Sequence, residues 1–484
     1  MIGTEIPAME INYHSASCHD DAGQLFWWNG DLYRGIREES STFYKNLYDK
    51  GIVRKLIEKR FLVETDKTDF TLDGYPLVFR HRVVPFVSFV FEWCPEMLKD
   101  AAFLMLDLTI ELNPYGLFID DPEPFNVLFN GCNPILVDLC SIEPNDNFNF
   151  SKWKKYKEEF ISSFFYPLQL LSIGKRNSIR KLLVDNCSGK NIDEEVADLI
   201  GYRYPKMILS VSRGNILRSV NAATRSLFEI MESTLINRKK NFVLYKLNKL
   251  REVMESIPLP SMQIKNLSFT PTSEWSQKSR SIEKILSEIR PSTVLMISGN
   301  DLACYSKLAV SCGSRVVSID SDESNVARCY HEARKENLPI LPLVINIQDP
   351  TPGFCIGNNR NSPAFLRLQS DMVMALSKVH TLFFDQRLNF EQIVGIFASF
   401  SKRWVLAEFV SVDDEKVRDG ISNWNPNLMY TLENFISELK KRFHEVTVIH
   451  DSTAPRVFLL CEKSMTMNVE IPTGRKISCG SGVE

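Results

Sequence analysis

Three features that would assign a function class at once are missing from this sequence. Its 11 Cys include no CxxC pair, which argues against a zinc ribbon or a disulfide framework and favours reduced thiols. Its longest apolar runs, 101–106 and 340–345, fall far short of the roughly 20 residues that a membrane helix needs. The 57 basic and 60 acidic residues leave a formal charge of −3, so no global field attracts nucleic acid or an acidic membrane.

The first residues of the chain contain no basic segment followed by an apolar run, so they do not resemble a secretory signal. We therefore expect a cytoplasmic protein without a membrane span, and nucleic acid is not indicated as a partner. Disorder is not favoured either, because 44% of the residues are hydrophobic and 31 are Phe. Most of the chain should fold.

At 484 residues the chain exceeds what one core usually organises. Strand-like runs surround one helical stretch at 41–59, helical periodicity follows, and two short apolar runs around Asn130-Gly131 predict a hairpin. Strand and helix patterns alternate from 291 onward. The predicted organisation is an extension at 1–24, a two-lobed domain at 25–257 (sheet lobe 25–94, helical lobe 95–257), a linker with a lead-in helix at 258–290, a second domain at 291–464 and a flexible tail at 465–484.

The alternation in the second domain predicts a mostly parallel, doubly wound sheet with strands such as TVLMIS, RVVSID, ILPLVIN, RWVLAEFV and EVTVIH. Ligands of such a sheet bind at the carboxyl ends of the strands, where the strand order reverses. Asp320 ends the second strand. An acidic side chain at this place accepts hydrogen bonds from both ribose hydroxyls of a nucleoside cofactor.

With TVLMISGNDLACYS followed by VVSIDSD, residues of about 275–465 resemble the class I S-adenosylmethionine (SAM) methyltransferases of bacteria. The resemblance implies a Rossmann-like fold and SAM as the cofactor. The cofactor-binding residues that it implies are Ser298, Gly299, Asn300, Asp320 and Asn346. A plain loop role is the alternative for the last of these.

The same resemblance implies two catalytic residues. His380 follows a strand-four Ala-Leu, and Glu408 lies at the end of the next strand. Either side chain would act as a base or position a nucleophile. The alternative is structural: a partly buried, hydrogen-bonded histidine and a strand-end contact.

A second spacing with chemical meaning lies in the N-terminal domain. Asp121 precedes Asn126 by five residues in DDPEPFN, and Asp138 ends an apolar strand twelve residues later. Phosphotransfer needs one carboxylate to accept a hydroxyl proton, and an amide oxygen and a second carboxylate to hold the metal that bridges the phosphates. On these residues, 25–250 resembles protein-kinase-like and aminoglycoside-phosphotransferase-like domains. The resemblance implies ATP and Mg²⁺, with Asp121 as the catalytic residue and the other two as metal ligands.

Arg34, on an early strand, is the basic residue that we assign to the nucleotide, with Glu38 or Glu39 as its partner. The segment 88–93 would form the hinge between the lobes. The structural alternative for the acidic motif is that its first Asp caps a turn, its Asn closes an Asx-type loop and the later Asp ends a hairpin strand.

Three hypotheses remain open. The first is a SAM-dependent methyltransferase that modifies a small-molecule or glycan acceptor with help from the kinase-like module, and it leaves room for a protein partner. The second is a degenerate pseudo-methyltransferase and pseudokinase that acts as a binding or scaffold subunit. It is motivated by Met296, Ser298 and Leu302, which replace the acidic residue and two glycines of the methyltransferase motif; the Leu should obstruct the methionine part of SAM. The third is an ATP- and Mg²⁺-dependent phosphotransferase.

Overall fold

A computed structural model describes most of the chain. The described residues are 4–14, 17, 21–144, 150–174, 179, 183, 242–259, 273–299, 301–353, 362–414, 417, 429–450 and 456–464. The predicted tail 465–484 and the candidate Asn300 lie outside them, as do most of the helical stretch after 174 and residues 260–272 of the predicted linker.

The N-terminal lobe is built on an antiparallel sheet. Its strands and the flanking pair are β1 (Thr4–Glu5), β2 (Asn12–Tyr13), β3 (Gly23–Trp28), β4 (Asp31–Ile36), β5 (Thr65–Lys67), β6 (Phe70–Thr71) and β7 (Leu77–His81). The five-stranded sheet has the order β2-β3-β4-β7-β5, and β1 pairs with β6 separately. The segment predicted as an extension, 1–24, thus contributes an edge strand to this sheet.

The single helical stretch expected at 41–59 is two helices, α1 (Glu38–Asp49) and α2 (Ile52–Glu58). Gly51 lies between them with a φ of 75°. A residue in the left-handed conformation cannot continue a right-handed helix, so the helix axis changes direction at Gly51. The helical pattern of the sequence continues on both sides of it.

The helical lobe begins with α3 (Pro95–Leu112), whose bounds match the helical pattern. The next elements are β8 (Leu117–Ile119), β9 (Val127–Asn130), β10 (Asn133–Leu136), β11 (Ile142–Pro144), α4 (Phe150–Phe160), a π-helical turn (Ile161–Phe165), α5 (Tyr166–Ser172) and α6 (Phe242–Ser256). Strands β9 and β10 form the predicted hairpin, and β8 pairs with β11. The loop 120–126 is therefore held between two antiparallel pairs.

The C-terminal domain alternates helix and strand as expected. Its elements are α7 (Ser273–Ile289), β12 (Thr293–Ile297), α8 (Leu302–Ser311), β13 (Arg315–Asp320), α9 (Glu323–Glu336), β14 (Ile340–Val344), α10 (Ala364–Arg367), β15 (Ser370–Ala375), α11 (Val379–Phe384), α12 (Phe390–Phe400), β16 (Ser401–Val410), α13 (Leu432–Arg442), β17 (Glu445–His450) and β18 (Arg456–Glu462).

These strands form one mixed sheet of order β14-β13-β12-β15-β16-β18-β17. Neighbouring strands from β14 to β16 are parallel, and β18 is antiparallel to both of its neighbours. The chain leaves β12 toward β13 and β14 on one side and returns to β15 on the other. The strand order therefore reverses between β12 and β15, which is the place where doubly wound sheets bind ligands.

The two domains share a continuous buried core, in which α3 packs against α9. No helix in the described part of the chain combines the length and the apolar composition that a membrane span requires.

Candidate functional site

The structure brings the C-terminal candidates to one edge of the sheet. Ser298 and Gly299 follow β12, Asp320 ends β13, His380 lies at the start of α11 after β15, and Glu408 lies near the end of β16. Parallel strands end at the same edge, so these side chains surround the point of strand reversal. Their roles as ligands and catalysts stay predictions.

Asp320 is a buried, hydrogen-bonded carboxylate at this edge. Its side chain is 3% exposed. Oδ1 accepts a hydrogen bond from the Asp322 backbone N–H at 3.0 Å, and Oδ2 accepts one from Asn325 Nδ2 at 3.0 Å. Lys378 Nζ, which follows β15, lies 3.9 Å from Oδ1. The Asp320–Lys378 pair thus lies across the point where the strand order reverses. Each carboxylate oxygen of Asp320 retains a lone pair that can accept a further hydrogen bond.

The three positions that depart from the methyltransferase motif all face the interior. Met296 is fully buried within β12, Ser298 is 1% exposed, and Leu302 is fully buried as the first residue of α8. Leu302 therefore packs into the interior of the domain, and its expected effect on SAM binding stays a prediction. Among the described residues, a Cβ added at Gly299 would meet nothing within 4 Å, so this part of the structure leaves space beside the loop.

Asn346 has a local partner. Its Oδ1 accepts a hydrogen bond from Gln348 N at 3.1 Å, and its backbone oxygen accepts one from Asp349 N at 3.1 Å. This is an Asx turn after β14, the loop role weighed for this residue. The exposed side chain remains at the ligand edge.

Glu408 is completely buried and belongs to an ion-pair cluster. Its Oε2 accepts hydrogen bonds from Lys278 Nζ at 2.7 Å, from Ser377 N at 2.7 Å and from Ser377 Oγ at 3.0 Å. Arg456 Nη1 lies 3.6 Å from the other oxygen, Oε1, and Arg456 also pairs with Asp414. A buried carboxylate needs this number of partners, because desolvation of an unpaired charge is costly.

Sequence reasoning missed Lys278, which reaches the site from α7. The helix lies before the sheet, and a single Lys in an amphipathic helix is usually solvated. One signal was available: Lys278 is four and seven residues before Ile282 and Ile285, which are both buried. It therefore occupies the apolar stripe of the helix.

His380 is partly buried at the same edge. Its Nδ1 is buried and finds no hydrogen-bond partner among the residues that the structure describes. Burial lowers the pKa of this histidine, and the nearby Glu408 opposes that effect. A neutral imidazole with an unused nitrogen is suited to hydrogen bonding with an acceptor group or to taking its proton.

The N-terminal candidates line a large cleft between the sheet lobe and the helical lobe. Its volume is about 1300 Å³, and Arg34, Asp121, Asn126 and Asp138 are among its lining residues. The predicted hinge lines it as well, through Ser88 and its neighbours. Ligand pockets commonly have volumes of about 300–1,000 Å³, so this cleft has room for a nucleotide and part of an acceptor.

Arg34 is buried on β4, 3% exposed, and its Nη2 lies 3.0 Å from Asp138 Oδ1. The expected partners were Glu38 or Glu39, but these residues begin α1, and the ion pair seen joins the strand to the end of the hairpin. Burial, reinforced by Arg34, lowers the pKa of the adjacent His81 to about 3.

Asp121 and Asn126 are held in the loop between β8 and β9. Asn126 Nδ2 donates a hydrogen bond to the Asp121 backbone oxygen at 3.0 Å, and its own backbone oxygen accepts one from Val137 N at 3.0 Å. Asn126 and Asp138 are thereby neighbours across the hairpin base. Lys155 Nζ lies 2.6 Å from Asp120 Oδ2 and 3.3 Å from Asp121 Oδ1. A cation therefore stands beside the candidate catalytic carboxylate.

The oxygen donors of this loop are too few to bind Mg²⁺ alone. They fit the metal only if a bound ligand supplies further oxygen atoms. Within the described ranges, no three His, Cys, Asp or Glu side chains converge to hold a metal. Mg²⁺ in nucleotide sites is bound by one or two side chains together with phosphates and water. Asn126 Oδ1 and the second oxygen of Asp138 would be those side-chain ligands.

Comparison with known proteins gives one curated relative and several solved structures. No known family model matches the chain. The nodulation protein NoeA of Rhizobium meliloti (strain 1021) is 21% identical over 424 residues, which cover 84% of this chain and 86% of the relative. This similarity spans both domains.

The similar solved structures include two methyltransferases. The N-methyltransferase NodS from Bradyrhizobium japonicum WM9 has 12% identity and a TM-score of 0.29, and covers 40% of this chain and 99% of that chain. Magnesium protoporphyrin IX methyltransferase (ChlM) from Synechocystis PCC 6803 with bound SAM has 12% identity and a TM-score of 0.28, and covers 40% of this chain and 80% of that chain.

The third is the bifunctional kinase-methyltransferase WbdD, with 16% identity and a TM-score of 0.25; the similarity covers 39% of this chain and 37% of that chain. Similarity this low carries no argument about chemistry. The architecture of the chain therefore stands on its own strand order: a mixed α/β protein whose C-terminal domain is a doubly wound sheet.

Proposed function

We propose that this protein is a SAM-dependent methyltransferase acting on a small-molecule or glycan acceptor. One observation supports this most: a buried, hydrogen-bonded carboxylate, Asp320, ends the strand next to the point of strand reversal. The open space beside Gly299 lies at the same edge. SAM would supply an electrophilic methyl group there.

Residues of this chain would bind the cofactor and take the proton of the acceptor. Asp320 would accept hydrogen bonds from the ribose hydroxyls, and Asn325 fixes the orientation of its carboxylate. His380 and Glu408 are the candidates at this edge for the base that takes a proton from the attacking group. The name of the curated relative, a nodulation protein, does not define the acceptor.

Calorimetry with SAM and S-adenosylhomocysteine tests the cofactor assignment. We expect saturable binding by the wild type and at least about tenfold weaker binding by Asp320→Asn, which loses a charged acceptor of ribose hydrogen bonds. Asp322→Asn is the matched control, because Asp322 caps α9 two residues later through Ser324 N. No heat at high micromolar ligand, or equal loss in both variants, would contradict the proposal.

A second function is favoured by the N-terminal cleft: binding of ATP with Mg²⁺ in the manner of a phosphotransferase. The supporting observation is the convergence of Arg34, Asn126 and Asp138 on a cavity of about 1300 Å³. ATP with Mg²⁺ should raise the melting temperature of the wild type, because a ligand that binds only the folded state stabilises it. The shift should vanish in Asp138→Asn and persist in Asp66→Asn, an exposed control on β5. A shift that persists in Asp138→Asn contradicts this metal-ligand assignment.

The scaffold hypothesis makes the opposite forecast for both ligands. A folded wild-type protein that binds neither SAM nor ATP would favour it, since both candidate sites would then lack their ligands. Methyl transfer by the purified protein from methyl-labelled SAM, with loss in Asp320→Asn, would exclude it.

A further inference from the structure

A second cavity, the interdomain cavity, lies where the two domains meet. Its volume is about 380 Å³, within the range of small-molecule pockets. The N-terminal domain lines it with the end of α2, the segments before β5 and after β7, and the β9–β10 hairpin, and the C-terminal domain lines it with the start of β13 and the turn after α9. Val63 and residues 82–84 also line the large N-terminal cleft, whereas Arg60, Arg315 and Asn337 do not. The two cavities therefore share one wall and differ in the rest of their lining.

The charged side chains of the interdomain cavity are mostly basic. Arg60 follows α2, Arg82 follows β7, and Arg315 is the first residue of β13. Within the described part of the chain, Glu64 is the one carboxylate of the lining, and its Oε2 lies 2.6 Å from Arg82 Nη1. Arg60 and Arg315 form no ion pair with any residue that the structure describes. Three arginines against one carboxylate leave an excess of two positive charges.

Hydrogen bonds at the domain boundary use the amide oxygens and leave mainly donors. Asn337 Oδ1 accepts a hydrogen bond from Asn133 Nδ2 at 2.9 Å and another from Arg60 Nη1 at 3.3 Å. Asn133 Oδ1 accepts one from Arg334 Nη1 at 2.7 Å. The Asn337 amide nitrogen and the remaining guanidinium N–H groups of Arg60 and Arg315 are left for a ligand. Such a lining suits a ligand that accepts hydrogen bonds.

Two helix ends oppose the binding of an anion here, but only in part. Arg60 and Asn337 follow α2 and α9 with left-handed φ values of 59° and 51°. Their N–H groups close the two helices by donating to the backbone oxygens of Ile57 and Arg334. A helix C-terminus carries about half a negative elementary charge at most, so the two ends together offset about one of the two excess positive charges. The cavity stays positive.

We propose that the interdomain cavity binds a small molecule through a phosphate monoester, which Arg60 contacts from one domain and Arg315 from the other. A phosphate monoester carries a charge of about −1.5 to −2 near neutral pH, which fits the excess positive charge better than the single charge of a carboxylate does. Guanidinium groups bind phosphate oxygens in a bidentate manner. The cavity is larger than a phosphate group, and apolar residues such as Ile57 and Leu338 line the remaining space. This binding does not depend on SAM or ATP.

Calorimetry of the full chain with glycerol 3-phosphate tests the site, and glycerate is the matched carboxylate probe. We expect saturable binding of glycerol 3-phosphate by the wild type and at least about tenfold weaker binding of glycerate. Arg60→Met and Arg315→Met should each weaken glycerol 3-phosphate binding at least about tenfold, because each removes charge-assisted hydrogen bonds. Both side chains are exposed, so the two variants should keep the melting temperature of the wild type.

Arg54→Met is the matched control on α2, since Arg54 is 83% exposed, pairs with Glu58 and lies outside the lining of the cavity. This variant should keep the affinity of the wild type. Wild-type affinity in both Arg60→Met and Arg315→Met would place the phosphate elsewhere and overturn the proposal, as would an equal loss in Arg54→Met. Glycerate binding as tight as that of glycerol 3-phosphate would overturn the phosphate assignment, and absence of heat at millimolar glycerol 3-phosphate would overturn the site itself.

Discussion

Arg367 of the C-terminal domain forms a buried ion pair with Glu92 in the hinge of the N-terminal domain. The two side chains are 5% and 1% exposed. Arg367 Nη1 also donates to the Val87 backbone oxygen at 2.6 Å, and its guanidinium lies 4.5 Å from the centroid of Phe89. Val87 and Phe89 line the N-terminal cleft. One residue of the doubly wound domain thus holds the segment that joins the two lobes of the other domain.

Replacement of Arg367 by Met should strongly destabilise the protein. Removing one partner of a buried ion pair costs about 3–5 kcal/mol, because the remaining charge stays buried without compensation. Thermal or urea denaturation of the full chain measures the loss.

Two further variants distinguish the loss of the Arg367–Glu92 ion pair from the loss of side-chain packing. Arg367→Met/Glu92→Gln should recover a large part of the lost stability, since no uncompensated charge remains. Arg54→Met, which breaks an exposed pair with Glu58, should leave the melting temperature nearly unchanged. If Arg367→Met behaved like Arg54→Met, the pair would not be a structural link between the domains.

A glycine lies at a close backbone approach between the domains. Gly131, at the hairpin turn, has a φ of 63°, and a Cβ added there would lie 2.9 Å from Pro339 Cα and 3.1 Å from the Leu338 oxygen. Gly131→Ala should therefore cost about 1–2 kcal/mol for the left-handed backbone and a further 1–3 kcal/mol for overlap with the neighbouring main chain.

Gly116→Ala is the matched control for this prediction. Gly116 has a φ of 69°, and a Cβ there would meet nothing within 4 Å. Its cost in urea denaturation should therefore contain only the backbone contribution. Equal losses in the two variants would show that the domains do not pack closely at residue 131.

The parts of the fold that could be predicted depend on local signals. Pro95 allows α3 to begin where the helical pattern starts, and Gly131, which follows Asn130 at the end of β9, is the first of the two turn residues that connect β9 to β10. The alternation after 291 predicted the parallel strands and the position of Asp320. These features are determined by residues that are close together in the sequence, so sequence patterns can predict them.

What could not be predicted depends on long-range contacts. Strand β18 inserts between β16 and β17, and no local pattern specifies such a pairing. The partner of Arg34 was expected on the next helix but lies about a hundred residues away at Asp138. Lys278 enters the site because α7 packs against α8 and buries its apolar stripe. Each of these contacts is decided by tertiary packing, which secondary-structure patterns do not encode.

His81 should make the stability of the protein depend on pH. It is buried next to Arg34, its Nδ1 lies 2.9 Å from Thr65 Oγ1, and its Nε2 has no hydrogen-bond partner in the described part of the chain. Burial lowers its pKa to about 3 in the folded state, whereas an unfolded histidine titrates near 6.5. Between these values the unfolded chain holds more protons, so the free energy of unfolding falls as the pH is lowered through this window.

The contribution of His81 should reach about 1.4 kcal/mol per pH unit in the middle of that window. His81→Gln removes it, so urea midpoints measured at about pH 7 and pH 5 should differ less in this variant than in the wild type. His331→Gln, at a histidine whose side chain is 60% exposed, should retain the wild-type difference. If His81→Gln showed the full wild-type difference, His81 would not be a neutral buried group in the folded protein.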